Sequence, residues 1–211
     1  MIKIVWLFGE LMSLYGEHAA LEFLKRRLEE AGEETLIERV EEGGELNLSD
    51  CSLLYIPAGT EKSLLAAARH IAAYKQEIDG YCARGGLALL TGNAPALFCR
   101  EIKSFGGSKA EGLGIFDGEA EILDKRRYSE FIMRSNILLG YTIGAINSSL
   151  KLMHSETPLF KVLFDAAKIL PERSEGIVKG GVFATQLIGP LLVRNPAALD
   201  FFASKAAGHE L

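Results

Sequence analysis

Three predominantly apolar runs of strand length, each followed by a loop of small residues, most constrain what this chain can fold into. They are Ile2–Phe8, Cys51–Ile56 and Leu87–Leu90. Such runs are typical of parallel strands that are covered on both faces. Helical patterns separate them, at Gly16–Gly32 and Glu61–Gly80, and each pattern ends in a glycine. The alternation predicts an α/β fold with a three-layer, flavodoxin-like, mostly parallel sheet and flanking helices.

The pattern changes after residue 100. Residues 103–123 are rich in glycine and then strand-like, and residues 130–146 have the apolar pattern of antiparallel strands. Asn195 and Pro196 predict the start of a last helix, as N-cap and first helical residue. No linker rich in Pro, Ser or charge divides the chain. Residues 1–211 are therefore expected to form a single domain with an antiparallel extension in its second half.

Charge and composition exclude several classes of function. The net charge of −5 gives no global basic field for nucleic acid or anionic membranes, and the basic run 125–127 is expected to be a solvated face. No apolar run approaches the roughly 20 residues of a membrane-spanning helix. The 3 cysteines lack CxxC spacing and fit buried thiols in the reducing cytoplasm. The 4 histidines form no ligand motif, so neither a metal nor a cofactor is predicted.

A candidate site follows from the rule that open parallel sheets bind ligands at the carboxyl ends of their strands. Strand, turn and helix at 87–98 have the pattern of a nucleophile elbow, whose apex is Thr91. Backbone N–H groups from this turn and from the loop at residues 58–60 can form an oxyanion hole. The predicted ligand-binding residues are Gly59, Thr60, Gly92 and Asn93. In place of a catalytic role, Thr91 is expected to cap the helix that follows.

Four segments that span most of the chain resemble a known family. They are residues 11–27, 46–63, 85–98 and 180–202. The most specific is Thr185–Leu192, which matches Thr-x-Leu-x-Gly-Pro-Leu-Leu. In these segments the chain resembles class I glutamine amidotransferase-like proteins of the cobyric-acid-synthase and GatD branch, to which the small glutaminase subunit of lipid II isoglutaminyl synthase belongs. The resemblance implies the fold of that family.

The resemblance also implies a mechanism, which fails at its central residues. In the family a Cys thiolate attacks the glutamine amide and a His acts as general base and acid. Ammonia then reaches a Mur-ligase-like synthetase that amidates a peptidoglycan precursor. The nucleophile position falls on Thr91, the base position on Ile188 and the family's Asp-Arg-Gly-Asn on residues 17–20. A Thr hydroxyl is a far weaker acid than a thiol, and Ile cannot accept a proton. No glutaminase activity is therefore expected through this site.

Three hypotheses remain at this point. The first is a catalytically inactive cytoplasmic subunit that binds or regulates a Mur-ligase-like synthetase. The second is an active glutaminase with a displaced nucleophile, for which Cys99 or Cys82 would have to reach the Gly59 and Gly92 amides. The third is a small-molecule binding module that uses the altered pocket.

Overall fold

The computed structural model describes residues 1–138, 140–189 and 191–211. The elements of the first half are β1 (Ile2–Leu7), α1 (His18–Glu30), β2 (Thr35–Val40), β3 (Leu53–Ile56), α2 (Glu61–Ile71), α3 (Lys75–Ala83), β4 (Ala88–Thr91) and a 3-10 helix (Ala94–Phe98). Those of the second half are β5 (Glu101–Lys103), β6 (Lys109–Glu111), β7 (Gly118–Ser135), β8 (Gly140–His154), β9 (Phe160–Asp165), β10 (Ser174–Glu175), β11 (Ile177–Lys179), β12 (Val182–Thr185), α4 (Leu191–Arg194) and α5 (Pro196–Ala207).

The predicted parallel sheet is confirmed. Its strand order is β11-β12-β4-β3-β1-β2, and every neighbouring pair except β11 and β12 is parallel. Side chains alternate between its two faces, because Leu54 and Ile56 pack with α2 in one core cluster while Leu53 and Tyr55 pack with α1 in the other. Helices on both faces make the three layers. The carboxyl ends of β1, β3, β4 and β12 consequently meet at one edge.

The antiparallel strands predicted for the second half are confirmed, but they form a separate sheet rather than an extension of the first, and β5 pairs with β7 in parallel. Its order is β10-β9-β7-β5-β6, and β8 pairs with β7 along a long hairpin whose register shifts between Ile122 and Arg127. Leu139, in the connection between β7 and β8, lies outside the described residues. A bridge between Ala145 of β8 and Ile188 ties the hairpin to the loop that follows β12. This contact brings the second sheet against the carboxyl edge of the first.

One predicted helix is divided in two. The pattern at Glu61–Gly80 predicts a single helix, but α2 and α3 are separated by a 3-10 turn at Ala72–Tyr74. Tyr74 donates hydrogen bonds to the carbonyl oxygens of Glu41 and Gly44, at 3.1 and 2.9 Å. The bonds hold the turn against the segment after β2. None of the helices in the described ranges is long and apolar enough to cross a membrane.

Several outward backbone groups of β8 are bonded by other parts of the chain. Asn195 precedes α5 as predicted, but its side chain does not cap that helix. Instead its amide oxygen accepts from Ile143 N (2.8 Å) and its amide nitrogen donates to Ile143 O (3.0 Å). Ile188 N donates to Ala145 O at 2.8 Å. The carbonyl of Asn147 accepts from two side chains that are described below.

Candidate functional site

The predicted strand, turn and short helix at 87–98 are all present at the carboxyl edge of the parallel sheet. β4 ends at Thr91, and Gly92 turns the chain with a φ of +62°. A Cβ at Gly92 would lie 2.4 Å from Ala58 Cβ and 3.3 Å from Ile188 Cγ2. Real Cβ atoms do not approach other carbons so closely, so glycine is required by both conformation and space. The helix that follows is a five-residue 3-10 helix.

A buried carboxylate lies beside Thr91. Glu17 has no exposed surface, and Thr91 is 1% exposed. The Thr91 hydroxyl donates to Glu17 Oε2 at 2.9 Å, the Tyr55 hydroxyl donates to the same oxygen at 3.1 Å, and Gly189 N donates to Oε1 at 3.1 Å. The prediction that Thr91 caps the next helix is therefore wrong, since its hydroxyl is used by Glu17 and the 3-10 helix has no side-chain cap.

Burial dominates the electrostatics of this cluster. It raises the pKa of Glu17, and the hydrogen bonds from Thr91, Gly189 and Tyr55 only partly oppose that shift. Burial, followed by the nearby Glu17 charge, also raises the pKa of Tyr55 well above its ordinary value. Tyr55 therefore stays a hydrogen-bond donor at neutral pH. Sequence reasoning missed the part that Glu17 plays, because a lone Glu at the start of a helix is ordinarily solvated.

The two backbone N–H groups predicted to form an oxyanion hole are both bonded inside the protein. Gly59 N donates to the Asn93 amide oxygen at 2.9 Å, and the Asn93 amide nitrogen donates back to Gly59 O at 2.8 Å. Gly92 N donates to Leu187 O at 3.3 Å. Thr60 is the N-cap of α2, where its hydroxyl accepts from Ser63 N at 3.0 Å. Neither amide presents a free donor in this arrangement.

The cavity at the elbow is very small. Its volume is about 10 Å³, which is room for about one water molecule. Its lining includes Gly59, Gly92, Asn93 and Ile188. Thr91 and Glu17 do not belong to the described lining, because their polar atoms face each other within the core. A ligand of amino-acid size does not fit this cavity as it stands.

Side chains from the second sheet, from the turn before α1 and from the start of α2 cover the cavity. Arg126 of β7 donates from Nη1 to the Tyr15 hydroxyl (2.8 Å) and to Asn147 O (3.1 Å), and from Nη2 to Glu61 (2.6 Å). The Tyr15 hydroxyl also donates to Asn147 O at 3.3 Å, and Ser149 donates to Glu61 at 2.6 Å. Part of the basic run that was expected to be only a solvated face thus joins the second sheet to the elbow.

Comparison with known proteins gives the fold a name. No family model matches the chain. The chain is 13% identical, with a TM-score of 0.64, to PurLQS from Thermotoga maritima, over 98% of this chain and 97% of that one. It is 16% identical, with a TM-score of 0.63, to a glutamine amidotransferase, over 96% and 98%. The chain has a class I glutamine amidotransferase-like fold.

Two curated proteins extend this likeness to the sequence. The subunit GatD of lipid II isoglutaminyl synthase (glutamine-hydrolyzing) from Staphylococcus aureus is 20% identical over 97% of this chain and 84% of the relative. The subunit of the same name from Streptococcus pneumoniae is 23% identical over 92% and 76%. The chain is therefore a glutamine amidotransferase-like protein that is distantly related to GatD.

Within this amidotransferase-like fold, the two positions predicted for nucleophile and base come close to the same turn. Thr91 directly precedes Gly92, and Ile188 Cγ2 lies beside the space that a Gly92 side chain would take. Ile188 lines the small cavity. Pro190, which belongs to the motif Thr185–Leu192, lies outside the described residues.

The thiols of this amidotransferase-like protein are poorly placed for nucleophilic chemistry. Burial raises the pKa of Cys99 to about 12 and that of Cys82 to about 11, and it raises the pKa of Cys51 as well. None of the three belongs to the described lining of the elbow cavity. In the part of the chain that the structure describes, no cluster of three or more His, Cys, Asp or Glu could hold a metal ion.

Proposed function

We propose that this chain is a catalytically inactive glutamine amidotransferase-like subunit that binds or regulates a Mur-ligase-like synthetase in cell-wall precursor amidation. One observation carries the loss of activity. The Gly59 and Gly92 N–H groups, which would stabilise an oxyanion, are bonded to Asn93 and Leu187. Loss of one such donor lowers kcat by roughly 10²–10³-fold in a working enzyme. Here both donors are bonded within the protein. The positions predicted for the nucleophile and the base are occupied by Thr91 and Ile188, which cannot replace a thiol and an imidazole.

The contact between Thr91 and Glu17 has the form of a nucleophile beside a base, so it is the strongest argument for residual activity. Two features oppose that interpretation. The carboxylate also accepts from Tyr55 and from Gly189 N, and it lies outside the described lining of the cavity. A substrate carbonyl must come within about 3.5 Å of the nucleophile to react. The cavity of about 10 Å³ provides no room for that approach.

The alternative of a displaced thiol is also disfavoured. A thiol with the pKa of about 12 that burial gives Cys99 is ionised to roughly one part in 10⁵ at neutral pH. Cys82, with a pKa of about 11, is ionised to roughly one part in 10⁴ at neutral pH. Only the thiolate attacks an amide carbonyl. The binding-module alternative is disfavoured by the size of the elbow cavity, which fits about one water molecule.

An exposed apolar row supports the interaction part of the proposal. Ile143 of β8 pairs across the sheet with Ile132 of β7, and Ile132 pairs in turn with Phe164 of β9. These side chains are 43%, 42% and 52% exposed. Contiguous apolar surface of this kind marks protein interaction sites. Both curated relatives are named as subunits of a synthase, which makes a synthetase the occupant that we propose.

Glutamate release from glutamine tests the loss of activity. The purified chain is assayed alone and with the Mur-ligase-like synthetase from the same cell, and we expect no turnover in either case. Turnover that Thr91→Ala abolishes would make Thr91 a working nucleophile. Turnover that Thr91→Ala leaves unchanged would point to a displaced thiol. Either result overturns the inactive-subunit proposal.

A binding experiment tests the partner separately. The tagged chain is titrated with the synthetase, and Ile132→Glu is compared with Lys161→Glu, an exposed control on the neighbouring strand β9. A charge in the middle of a desolvated apolar contact typically costs several kcal/mol. We expect Ile132→Glu to lose binding and Lys161→Glu to keep it. Absence of wild-type binding, or equal binding by both variants, contradicts the proposed contact.

A further inference from the structure

We propose that a second cavity, which does not share its lining with the elbow cavity, is a binding site for a small organic acid that carries both a carboxylate and a hydrogen-bond donor such as a hydroxyl or amino group. Its volume is about 630 Å³, within the usual range for metabolite sites. The β7–β8 hairpin, the connection from β9 to β10 and the loop after β12 enclose it. It shares no described lining residue with the elbow cavity. The proposal therefore does not depend on the function proposed above.

Gln186 is the first observation that points to a ligand. It is only 6% exposed and lines the cavity. Its Oε1 is shielded from solvent and has no hydrogen-bond partner within the described ranges. A buried polar group without a partner costs about 1–3 kcal/mol and is rare in folded proteins. Because this oxygen accepts hydrogen bonds, the partner that a bound molecule would supply is a donor such as a hydroxyl or amino group.

Arg127 is the second and independent observation. Its Nη2 donates to Leu150 O at 2.6 Å and its Nη1 to Ile169 O at 3.4 Å, so its hydrogen bonds go to carbonyl groups rather than to a carboxylate. Its Nε is buried and has no partner among the described residues. Burial lowers the pKa of the guanidinium, which means that its charge is poorly solvated where it stands. A planar guanidinium donates hydrogen bonds in a geometry that matches the oxygens of a carboxylate.

The other ionisable groups that line the cavity leave this positive charge uncompensated. Glu156 is paired with Lys179 at 2.7 Å. Burial raises the pKa of Glu175 to about 7, so that carboxyl is partly protonated at neutral pH. Burial lowers the pKa of His154, which keeps its imidazole neutral. The charged residues of the lining that are left are Arg127, Lys151 and Glu172. Two positive charges and one negative charge give the cavity a net positive charge.

The floor of the cavity is held rigidly. Glu175 accepts from the Thr185 hydroxyl at 2.6 Å and from Gln186 N at 2.7 Å, so the backbone of Gln186 is fixed while its side-chain oxygen has no partner among the described residues. Apolar side chains that include Leu152 and Leu170 form part of the wall. An organic acid that also carries a hydroxyl or amino group satisfies the guanidinium with its carboxylate, the Gln186 oxygen with its donor and this wall with its carbon skeleton. Inorganic phosphate has no carbon skeleton to contact the wall.

The test is a titration of the full chain followed by backbone amide NMR. The probes are malate, 2-hydroxyglutarate and 3-hydroxybenzoate, which each carry a carboxylate and a hydroxyl. Glutaramide and inorganic phosphate are the comparators, and each compound is added to about 10 mM, where a millimolar Kd is largely saturated. We expect at least one carboxylate to give saturable shifts at the amides of Lys151 and Gln186. Glutaramide and phosphate should give none. No saturable shift from any of the three carboxylates, or an equal response to phosphate, overturns the proposal.

Variants locate the site. Arg127→Gln and Gln186→Leu should each weaken carboxylate binding by about tenfold or more, the fold-change expected when a charge-assisted or buried hydrogen bond is lost. Arg134→Gln is the matched control, because Arg134 is exposed on the same strand and lies outside this cavity. Gln186→Leu removes an unpartnered amide, so it should fold as well as wild type. Unchanged affinity in both site variants would contradict the assignment.

Discussion

The Thr91 hydroxyl and Glu17 Oε2 are 2.9 Å apart, and 74 residues of chain separate them. The contact joins the end of β4 to the residue that precedes α1, and Tyr55 adds β3 to the same oxygen. The position at which the family resemblance predicts a nucleophile is thus occupied by a hydroxyl that is turned into the protein. Its hydrogen bond satisfies a buried carboxylate, which makes it a contribution to folding.

Removal of the Thr91 hydroxyl should lower the stability of the protein. Thr91→Val keeps the shape but removes one donor to Glu17, and we expect the free energy of unfolding to fall by about 1–3 kcal/mol. Urea denaturation at neutral pH measures this. Ser63→Ala, at an exposed side-chain hydrogen bond, is the control and should cost less. Equal effects of the two changes would mean that the Thr91 contact contributes no more to the free energy of unfolding than an exposed hydrogen bond does.

Restoring the family's catalytic residues should not be enough to restore glutaminase activity. Thr91→Cys/Ile188→His supplies thiol and imidazole, but the Gly59 amide stays bonded to Asn93. Addition of Asn93→Gly frees that donor and enlarges the cavity. We expect the triple variant to release glutamate at least tenfold faster than the double variant, since one oxyanion donor contributes roughly 10²–10³-fold.

The matched control for this comparison is Asn93→Gly alone, which should be silent because it lacks both thiol and imidazole. A double variant as active as the triple one would show that the Asn93 bond opens readily. The interpretation of the bonded amides as the barrier to catalysis would then be wrong.

Stability should fall as pH rises toward neutrality. The pKa of Glu175 is raised from 4.5 to about 7, so the folded state binds the proton more tightly than the unfolded state between these values. The stabilisation is complete below 4.5 and is lost as pH passes through about 7. The loss between about pH 5.5 and about pH 7.5 amounts to about 2 kcal/mol for such a group. The raised pKa of Glu17 acts in the same direction.

Urea denaturation of wild type and Glu175→Gln at both pH values isolates this effect. The lowered pKa of His154 contributes with the opposite sign, but it is common to the two proteins. We expect the variant to show a smaller decrease between the two pH values than wild type. Identical pH profiles would exclude Glu175 as the titrating group.

A methyl group added at Gly92 should lower the free energy of unfolding more than one added at an open turn. Gly92 and Gly43 have φ values of +62° and +77°, but a Cβ at Gly43 meets nothing within 4 Å, whereas one at Gly92 meets Ala58 at 2.4 Å. Gly43→Ala should cost about 1 kcal/mol, from backbone strain alone. Gly92→Ala adds a steric overlap, and we expect a further loss of about 1–3 kcal/mol. Thermal or urea unfolding of both variants measures the difference.

The sequence allows prediction of the layers and of the edge where the loops meet. Apolar runs such as Ile2–Phe8 identify covered strands because burial on both faces disfavours polar residues, and Lys3 is tolerated in this run because it pairs with Glu38 and Asp50. The pairing of Glu17 with Thr91 was beyond such reasoning, since no periodicity relates a residue of the first loop to one at the end of β4. The bond between Asn93 and Gly59 was missed for the same reason: an Asn in a turn is ordinary, and only the tertiary structure gives it a partner.

Local geometry limited the prediction in other places. The pattern at Glu61–Gly80 is helical throughout, and the break at Ala72–Tyr74 depends on the hydroxyl of Tyr74 reaching carbonyl groups that lie 30 and 33 residues away in the chain. Asn195 is at the predicted helix start, but its amide is bonded to Ile143 rather than to its own helix. Long-range hydrogen bonds of single side chains leave no trace in the hydrophobic pattern.

The bonds along the outer side of β8 decide how another protein chain can approach it. An edge strand with open N–H and C=O groups recruits a further strand from a neighbour, which is a common route to both assembly and aggregation. At Ile143, Ala145 and Asn147 the outward groups named above are already occupied, by Asn195, by Ile188 N, and by Tyr15 and Arg126. Strand addition at these three residues would have to break those bonds first, which favours recognition through side chains at this part of β8.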